Sequence, residues 1–326
     1  MVKAFLFGKF LPFHKGHEAM IRFALTQADF VSVLVCSSDK ENIPAEIRKS
    51  WIDATFEGND NIEVLTLDYK ESMFPNTSAS SKEVSAIWAP VFSKLFLDHS
   101  LLITSEPYGD YVAGFMGIRH IAFDIPKQLY PVSATLIRND VFEWWDYLPD
   151  SVKPYYSVKA VILGTESTGK TTLAERLSAH FNATLVSEAA RDIILNSNSF
   201  TIEDLYTTAR EHARRIQEAE KGNSPLIIID TDVHITKSYA QYSFGEELKV
   251  SDIIYTANKA SLYIYLTNDS GYFQDGTRLD EAKARLLDVS HRQVLDDHKI
   301  PYQEIGGSFD EKFEKAVLLI KNLIKS

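Results

Sequence analysis

Apolar residues along this chain gather into short, nearly continuous runs, separated by stretches where they recur every three or four positions. Runs of the first kind read as strands buried on both faces, stretches of the second kind as helices covering them; their alternation predicts parallel sheets. In the first half the strands are VKAFLF (2–7), FVSVLVCSS (30–38), HSLLITSE and HIAFDI, with helices over GHEAMIRFALTQA (16–28) and SASSKEVSAIWAPVFSKLF. Ser80 and Glu83 have the spacing of a capping box for the latter helix. The alternation resumes after YLPDSVKPYYS (147–157), which carries two prolines. The second half predicts strands at 158–164, 183–187, 226–230 and 261–266, and helices at 170–181, 202–221 and 309–325. The expectation is an α/β protein of two domains, 1–152 and 153–326, each with a parallel sheet.

A length of 326 residues fits two cores better than one. The net charge of −11 disfavours a phosphate-backbone partner, so no nucleic acid is expected. An acidic chain can still hold small phosphates through backbone N–H groups and a few local cations. The single cysteine, Cys36, lies in an apolar run and reads as a buried packing residue. No apolar run approaches the about 18 residues of a membrane span, and no export signal is evident, so a cytoplasmic protein without membrane contact is expected. The first strand begins at residue 2, so no helix-turn-helix domain is expected before it. The oligomeric state is left open, a homo-oligomer included.

GTESTGKTT, residues 164–172, fits G-x-x-x-x-G-K-[ST] at Gly164, Gly169, Lys170 and Thr171, between an apolar strand and a helix. Such a loop turns backbone N–H groups onto an anionic phosphate, so Glu166, Ser167, Thr168 and Thr172 of the same string count as candidate contacts. Lys170 is expected to reach the β- and γ-phosphates and the Thr171 hydroxyl to ligate Mg²⁺. LIIIDTD places Asp230 at a strand end as a second metal-holding candidate, with Asp232 either functional or a helix cap. A kinase also needs a lid carrying arginine. NDSGYFQDGTR, 268–278, supplies Arg278, and an aromatic pair beginning at Tyr272 that offers a stacking surface. The guanine-reading Asn-Lys-x-Asp of GTPases is missing: NKAS (258–261) lacks the aspartate.

Near the start, GKFLPFHKGH places His14 and His17 across a strand-to-helix turn. Two imidazoles without a third ligand make a poor zinc site. They make a good phosphate site, because Gly16 permits close backbone approach and both rings donate hydrogen bonds. Charge on an α-phosphate can be stabilised there as pyrophosphate leaves, with no protein nucleophile.

The string matches the G-x-F-x-P-x-H-x-G-H signature of the nucleotidyltransferase superfamily at Gly8, Phe10, Pro12, His14, Gly16 and His17. VSATLIR (132–138) is similar to its I-S-x-T-x-x-R motif at Ser133, Thr135 and Arg138, with Val132 for isoleucine. The junction into GTESTGKTT, with SEAARD around Glu188 and Arg191, DTD at 230–232 and DGTR at 275–278, resembles the NadR family. That family joins a nicotinamide mononucleotide (NMN) adenylyltransferase to a ribosylnicotinamide kinase. The resemblance implies a Rossmann-like nucleotidyltransferase domain followed by a P-loop kinase domain. The kinase would phosphorylate nicotinamide riboside with ATP and Mg²⁺; the first domain would join NMN to AMP from a second ATP, giving NAD.

It also implies roles. His14 and His17 would hold ATP phosphates with Gly8, Lys9, Phe10 and Gly16 around them, Arg138 the triphosphate tail, and Ser133 and Thr135 further donors. Lys170, Thr171 and Asp230 would serve phosphate and Mg²⁺, and Arg278 the lid. Glu188, Asp230 and Asp232 remain alternatives for the general base, with Arg191, Asp232 and Tyr272 toward the riboside. Tyr272 aligns with a tryptophan of many relatives, so the stacking ring would be smaller. Two other readings stand beside this one: a kinase whose N-terminal domain is a weakly active nucleotide sensor, and a nucleotide-dependent switch.

Overall fold

Runs that are apolar at nearly every position become inner strands, because only a sheet covered on both faces buries both sides of them. The computed structural model describes residues 1–75, 80–194, 199–269 and 281–325. They form two units, Met1–Lys153 and Pro154–Ser326.

The first unit runs β1 (Lys3–Gly8), α1 (Lys15–Gln27), β2 (Phe30–Ser38), α2 (Ala45–Thr55), β3 (Ile62–Tyr69), α3 (Lys82–Leu95), β4 (Leu101–Thr104), α4 (Gly109–Met116), β5 (Arg119–Ala122) and α5 (Ala134–Asn139). Its strands pair in parallel in the order β3-β2-β1-β4-β5. Successive strands step outward from β1 to β3, and β4 then returns to the other side of β1. This reversal opens a crevice at the carboxyl ends of β1 and β4, where such sheets take ligands. One face packs Phe5, Leu34 and Leu102 against Trp88, Phe92 and Phe96 of the α3 segment and Val112 of α4. The α3 cap departs from expectation by one residue. Ser81, not Ser80, is the N-cap: its Oγ accepts from the Val84 N–H at 3.3 Å and donates to Glu83 at 2.8 Å.

The second unit follows the short α6 (Lys153–Tyr156) with β6 (Val158–Leu163), α7 (Lys170–Phe181), β7 (Thr184–Val186), α8 (Ala190–Ile193), α9 (Ile202–Ala219), β8 (Leu226–Asp230), α10 (Val233–Phe244), α11 (Asp252–Asn258), β9 (Leu262–Leu266), α12 (Glu281–Asp297), β10 (Gln303–Ile305) and α13 (Phe309–Lys325). All its strands are again parallel, in the order β10-β9-β6-β8-β7. Val161, Leu163, Ile227, Ile229, Tyr263 and Tyr265 build its core against Ile216 and Leu295. α10 packs against α9 and α12, and its His234, Thr236, Lys237 and Ser238 are all buried.

Candidate active sites

In the first unit the chain leaves β1 at Gly8, and Phe10 takes a positive φ of 48° with its ring buried. His14 then caps α1: its Nδ1 accepts from the Gly16 N–H at 3.2 Å. An accepting Nδ1 leaves the proton on Nε2, so His14 is a neutral donor at that atom. His17, one turn along, stacks on His14 with ring centroids 3.7 Å apart, and the Phe10 ring meets its edge at 5.0 Å. Burial, aided by the charge of Lys127, pulls the His14 pKa down to about 3. Burial, His14 and Lys127 hold that of His17 well below its ordinary value. The pair therefore serves as two neutral dipoles at neutral pH, beside Lys127, which is paired with Glu106 at 3.3 Å in the same lining. His17 Nδ1 is buried without a hydrogen-bond partner among the described residues, an atom a ligand can satisfy.

Both histidines, Gly8, Lys9 and Gly16 line a cavity of about 640 Å³, with Ser133 and Thr135 on the same wall. Ser133 caps α5 by accepting from the Leu136 N–H at 3.3 Å. Arg138 is not among the lining residues. It donates to the Leu11 carbonyl and, at 3.1 Å, to Thr135 Oγ1, which ties α5 to the loop after β1. Lys9 is engaged by Glu41 at 2.8 Å, and Glu41 also pairs with the fully buried Arg48. Phe7, Tyr69, Trp88, Phe92 and Tyr108 bring aromatic rings to the lining, alongside polar residues such as Ser81, Ser85, Glu106 and Asp124. Trp88 Nε1 donates to the Pro75 carbonyl at 3.1 Å and its ring meets Tyr69 edge-on at 4.9 Å, so the indole is held in place.

In the second unit Gly164 has φ 139°, and a Cβ there would stand 2.8 Å from the Leu266 carbonyl oxygen; only glycine fits. The loop then turns through positive φ at Ser167 and Gly169, and α7 begins at Lys170. Thr168 Oγ1 and Lys170 Nζ both donate to the Thr165 carbonyl, at 2.8 and 2.9 Å. Thr168 closes the loop on itself and is not among the lining residues. Thr171 Oγ1 donates to Asp230 Oδ2 at 2.5 Å and accepts from Arg191, which also reaches Glu188 at 3.3 Å. Glu188, Asp230, Arg191 and Thr171 therefore converge, as the sequence motifs suggested. Burial lifts the Glu188 carboxyl above the usual carboxylate range against the pull of Lys170; Asp230 adds to the rise and Arg191 opposes it.

Glu188, Arg191, Thr171 and Lys170 edge a cavity of about 670 Å³, lined also by Gly164, Glu166, Ser167, Gly169, Thr172 and His291; Asp230 is buried behind Thr171 and is not part of the lining. Ile194, Phe200, Leu205 and Ile235 add apolar surface to the lining, among Thr208 and Thr236, and the Tyr239 hydroxyl donates to Glu166 of the loop at 3.4 Å. Asp232 is not part of the lining. It caps α10, accepting from the N–H groups of His234 and Ile235 at 3.0 and 3.3 Å, and binds His234 Nδ1 at 2.6 Å. Its carboxylate is thus engaged in the capping alternative. Arg278 and Tyr272 lie outside the described residues. The hydroxyl of Thr171 and carboxylate of Asp230 are hard oxygen donors, a pair that suits Mg²⁺ completed by substrate phosphates.

Sequence reasoning missed Lys127, Tyr69, Trp88 and Tyr108 of the first site and Phe200, Tyr239 and His291 of the second. Tyr69 ends the edge strand β3, and the others sit in loops or on helix faces; in each case the local pattern reads as ordinary packing.

Two α/β units, one opening its sheet over a His-x-Gly-His turn and the other over a phosphate-binding loop, define a protein with two nucleotide sites. The Citrate lyase ligase C-terminal domain family matches residues 7–102, and the AAA domain family residues 159–312. The trifunctional NAD biosynthesis/regulator protein NadR of Escherichia coli K12 is 26% identical over 98% of this chain and 82% of its own length. That of Salmonella typhimurium is 25% identical with the same coverage. Crystal structures of NadR protein, one with NAD and AMP-PNP and one with NR, superimpose with TM-scores of 0.70 at 18% and 19% identity. They cover 100% and 99% of this chain and 96% of theirs, and so share its fold. The fold is a Rossmann-like nucleotidyltransferase domain followed by a P-loop kinase domain. The chain is similar to NadR proteins across nearly its whole length.

Proposed function

We propose that the C-terminal unit phosphorylates nicotinamide riboside with ATP and that the N-terminal unit adenylylates the resulting NMN with a second ATP, yielding NAD and pyrophosphate. One observation carries this reading: each unit of a single NadR-like chain has a cavity lined both by the residues of its phosphate-binding motif and by apolar side chains.

In the kinase site, catalysis is positioning and charge stabilisation. Lys170 leaves the Thr165 carbonyl for the transferring phosphoryl group, and the loop's N–H groups cradle the remaining phosphates. Thr171 and Asp230 would hold Mg²⁺, which supplies charge neutralisation at the phosphates. Of the three candidate bases, Glu188 fits best. It lines the cavity, and its raised pKa suits accepting the riboside 5′-hydroxyl proton. Asp230 is engaged with Thr171 and Asp232 with the α10 cap.

In the adenylyl-transfer site, the NMN phosphate attacks the ATP α-phosphate and pyrophosphate leaves. The Nε2–H of His14, the ring of His17 and the first N–H groups of α1 are placed to take the developing charge, with Lys127 beside them. The aromatic side chains around Trp88 offer the nicotinamide ring a stacking face.

Single substitutions separate the steps. His17→Ala is expected to abolish NAD formation from NMN and leave riboside phosphorylation intact, and Lys170→Ala to do the reverse. Loss of both activities from either variant would refute the division of labour.

A further inference from the structure

His291, on α12, lines the kinase cavity and is 1% exposed. Ser238 decides its tautomer. The Ser238 hydroxyl donates to the Ile235 carbonyl at 3.0 Å, so toward His291 Nδ1 its oxygen can only accept. The imidazole proton therefore sits on Nδ1, and Nε2 carries a lone pair. Burial, together with the charges of Lys170 and Arg292, holds the His291 pKa down to about 3, so Nε2 stays unprotonated at neutral pH. That atom is buried and has no hydrogen-bond partner among the described residues. A buried acceptor left unpaired costs about 1–3 kcal/mol, and a binding site is where such a group finds its use.

An acceptor without a proton does not suit a phosphate oxygen; it needs a ligand O–H or N–H. Its place in the cavity narrows the choice. The charge of Lys170 reaches the ring, and the Tyr239 ring, whose hydroxyl donates to Glu166 of the phosphate-binding loop at 3.4 Å, lies 5.5 Å away between centroids. His291 thus lines the cavity beside the phosphate-binding loop. In a riboside whose 5′-hydroxyl points to that loop, the sugar is the part next to it.

We propose that His291 Nε2 accepts a hydrogen bond from a secondary ribosyl hydroxyl of the nucleoside, and so orients the sugar and selects ribosides over deoxyribosides. The proposal rests on the riboside-kinase reading above. Ser238 acts through His291 as a positioning residue, since it fixes which ring nitrogen faces the ligand.

The test is steady-state kinetics of the full chain with nicotinamide riboside and its 2′-deoxy and 3′-deoxy forms. For the wild type, one deoxyriboside should show a KM about three- to tenfold higher, the loss of one hydrogen bond. His291→Phe should raise the riboside KM by a similar factor, leave the ATP KM unchanged, and treat riboside and deoxyriboside alike. His291→Gln, which keeps an acceptor near the Nε2 position, should restore part of the discrimination. An unchanged rate of NAD formation from NMN and an unchanged melting temperature would show the variants folded. Equal KM values for all three nucleosides with the wild type would overturn the proposal without any variant. Discrimination persisting in His291→Phe would also overturn it, as would a variant whose lost selectivity lies between the carboxamide and carboxylate forms of the ring. A wild type that phosphorylates no riboside would bring down the kinase reading itself, an outcome distinct from turnover insensitive to His291.

Discussion

Gly16→Ala separates the stability of the N-terminal unit from its chemistry. The added Cβ would lie 3.1 Å from both Cε1 and Nδ1 of His14, closer than ordinary van der Waals contact. The ring has little room to recoil, being 5% exposed and stacked on His17 at 3.7 Å, so its shift carries the second imidazole along. Gly16 lies inside α1, where alanine in place of glycine favours the helix by about 0.5–1 kcal/mol. The two effects oppose each other in stability, so the melting temperature should stay level or rise slightly. In catalysis they do not cancel. A displacement of about 1 Å at a reacting group costs about a hundredfold, so a shift of a few tenths should cost about three- to tenfold in kcat. The assay is NAD formation from NMN and ATP, with riboside phosphorylation by the same preparation as the internal standard. Full adenylyl-transfer activity in Gly16→Ala would refute the claim that the His14 and His17 rings act at the reacting phosphate.

Three further outcomes are expected. His14 and His17 have folded pKa values below the ordinary 6.5, so the unfolded chain binds protons that the folded unit does not. Their contribution leaves the N-terminal unit at full stability above about pH 6.5 and lowers it as pH falls from there toward 3; melts at pH 7.5 and 5 should show the drop, and a His14→Phe/His17→Phe double variant a smaller one. Asp232→Ala should lower stability by about 1–2 kcal/mol through loss of the α10 cap, read from urea unfolding, with the riboside KM unchanged; a raised KM would show that Asp232 touches substrate. Glu220→Ala strips the buried Lys159 of the carboxylate 2.7 Å away, and should cost about 3–5 kcal/mol in the same measurement, whereas a loss under 1 kcal/mol would show that the ammonium finds water.

Where the periodicity was strong, the sequence and the structure agree. β2, α7, β8 and α13 fall at 30–38, 170–181, 226–230 and 309–325 as expected. β3 was unread because Glu63, Thr66 and Asp68 interrupt its apolar positions, as befits a sheet edge, and β10 is only three residues long. α10 was hidden for another reason. His234, Thr236, Lys237 and Ser238 are buried by hydrogen bonding rather than by apolarity, which erases the amphipathic stripe that marks a helix. The phosphate-binding motifs of both sites were legible because glycine spacing and helix starts are local features. The rest of each lining was not. Trp88, Tyr108, Tyr239 and His291 reach their cavities through the packing of distant elements, and no spacing announces that.

The central claim is that one chain carries two working sites in sequence. Its most direct test follows NMN, NAD and pyrophosphate by chromatography after the purified protein is mixed with ATP and Mg²⁺ and either nicotinamide riboside or NMN. The account predicts NAD from both substrates, with NMN appearing before NAD when the riboside is supplied. NMN from the riboside without NAD from either substrate would contradict it, and would leave a kinase joined to a nucleotide sensor.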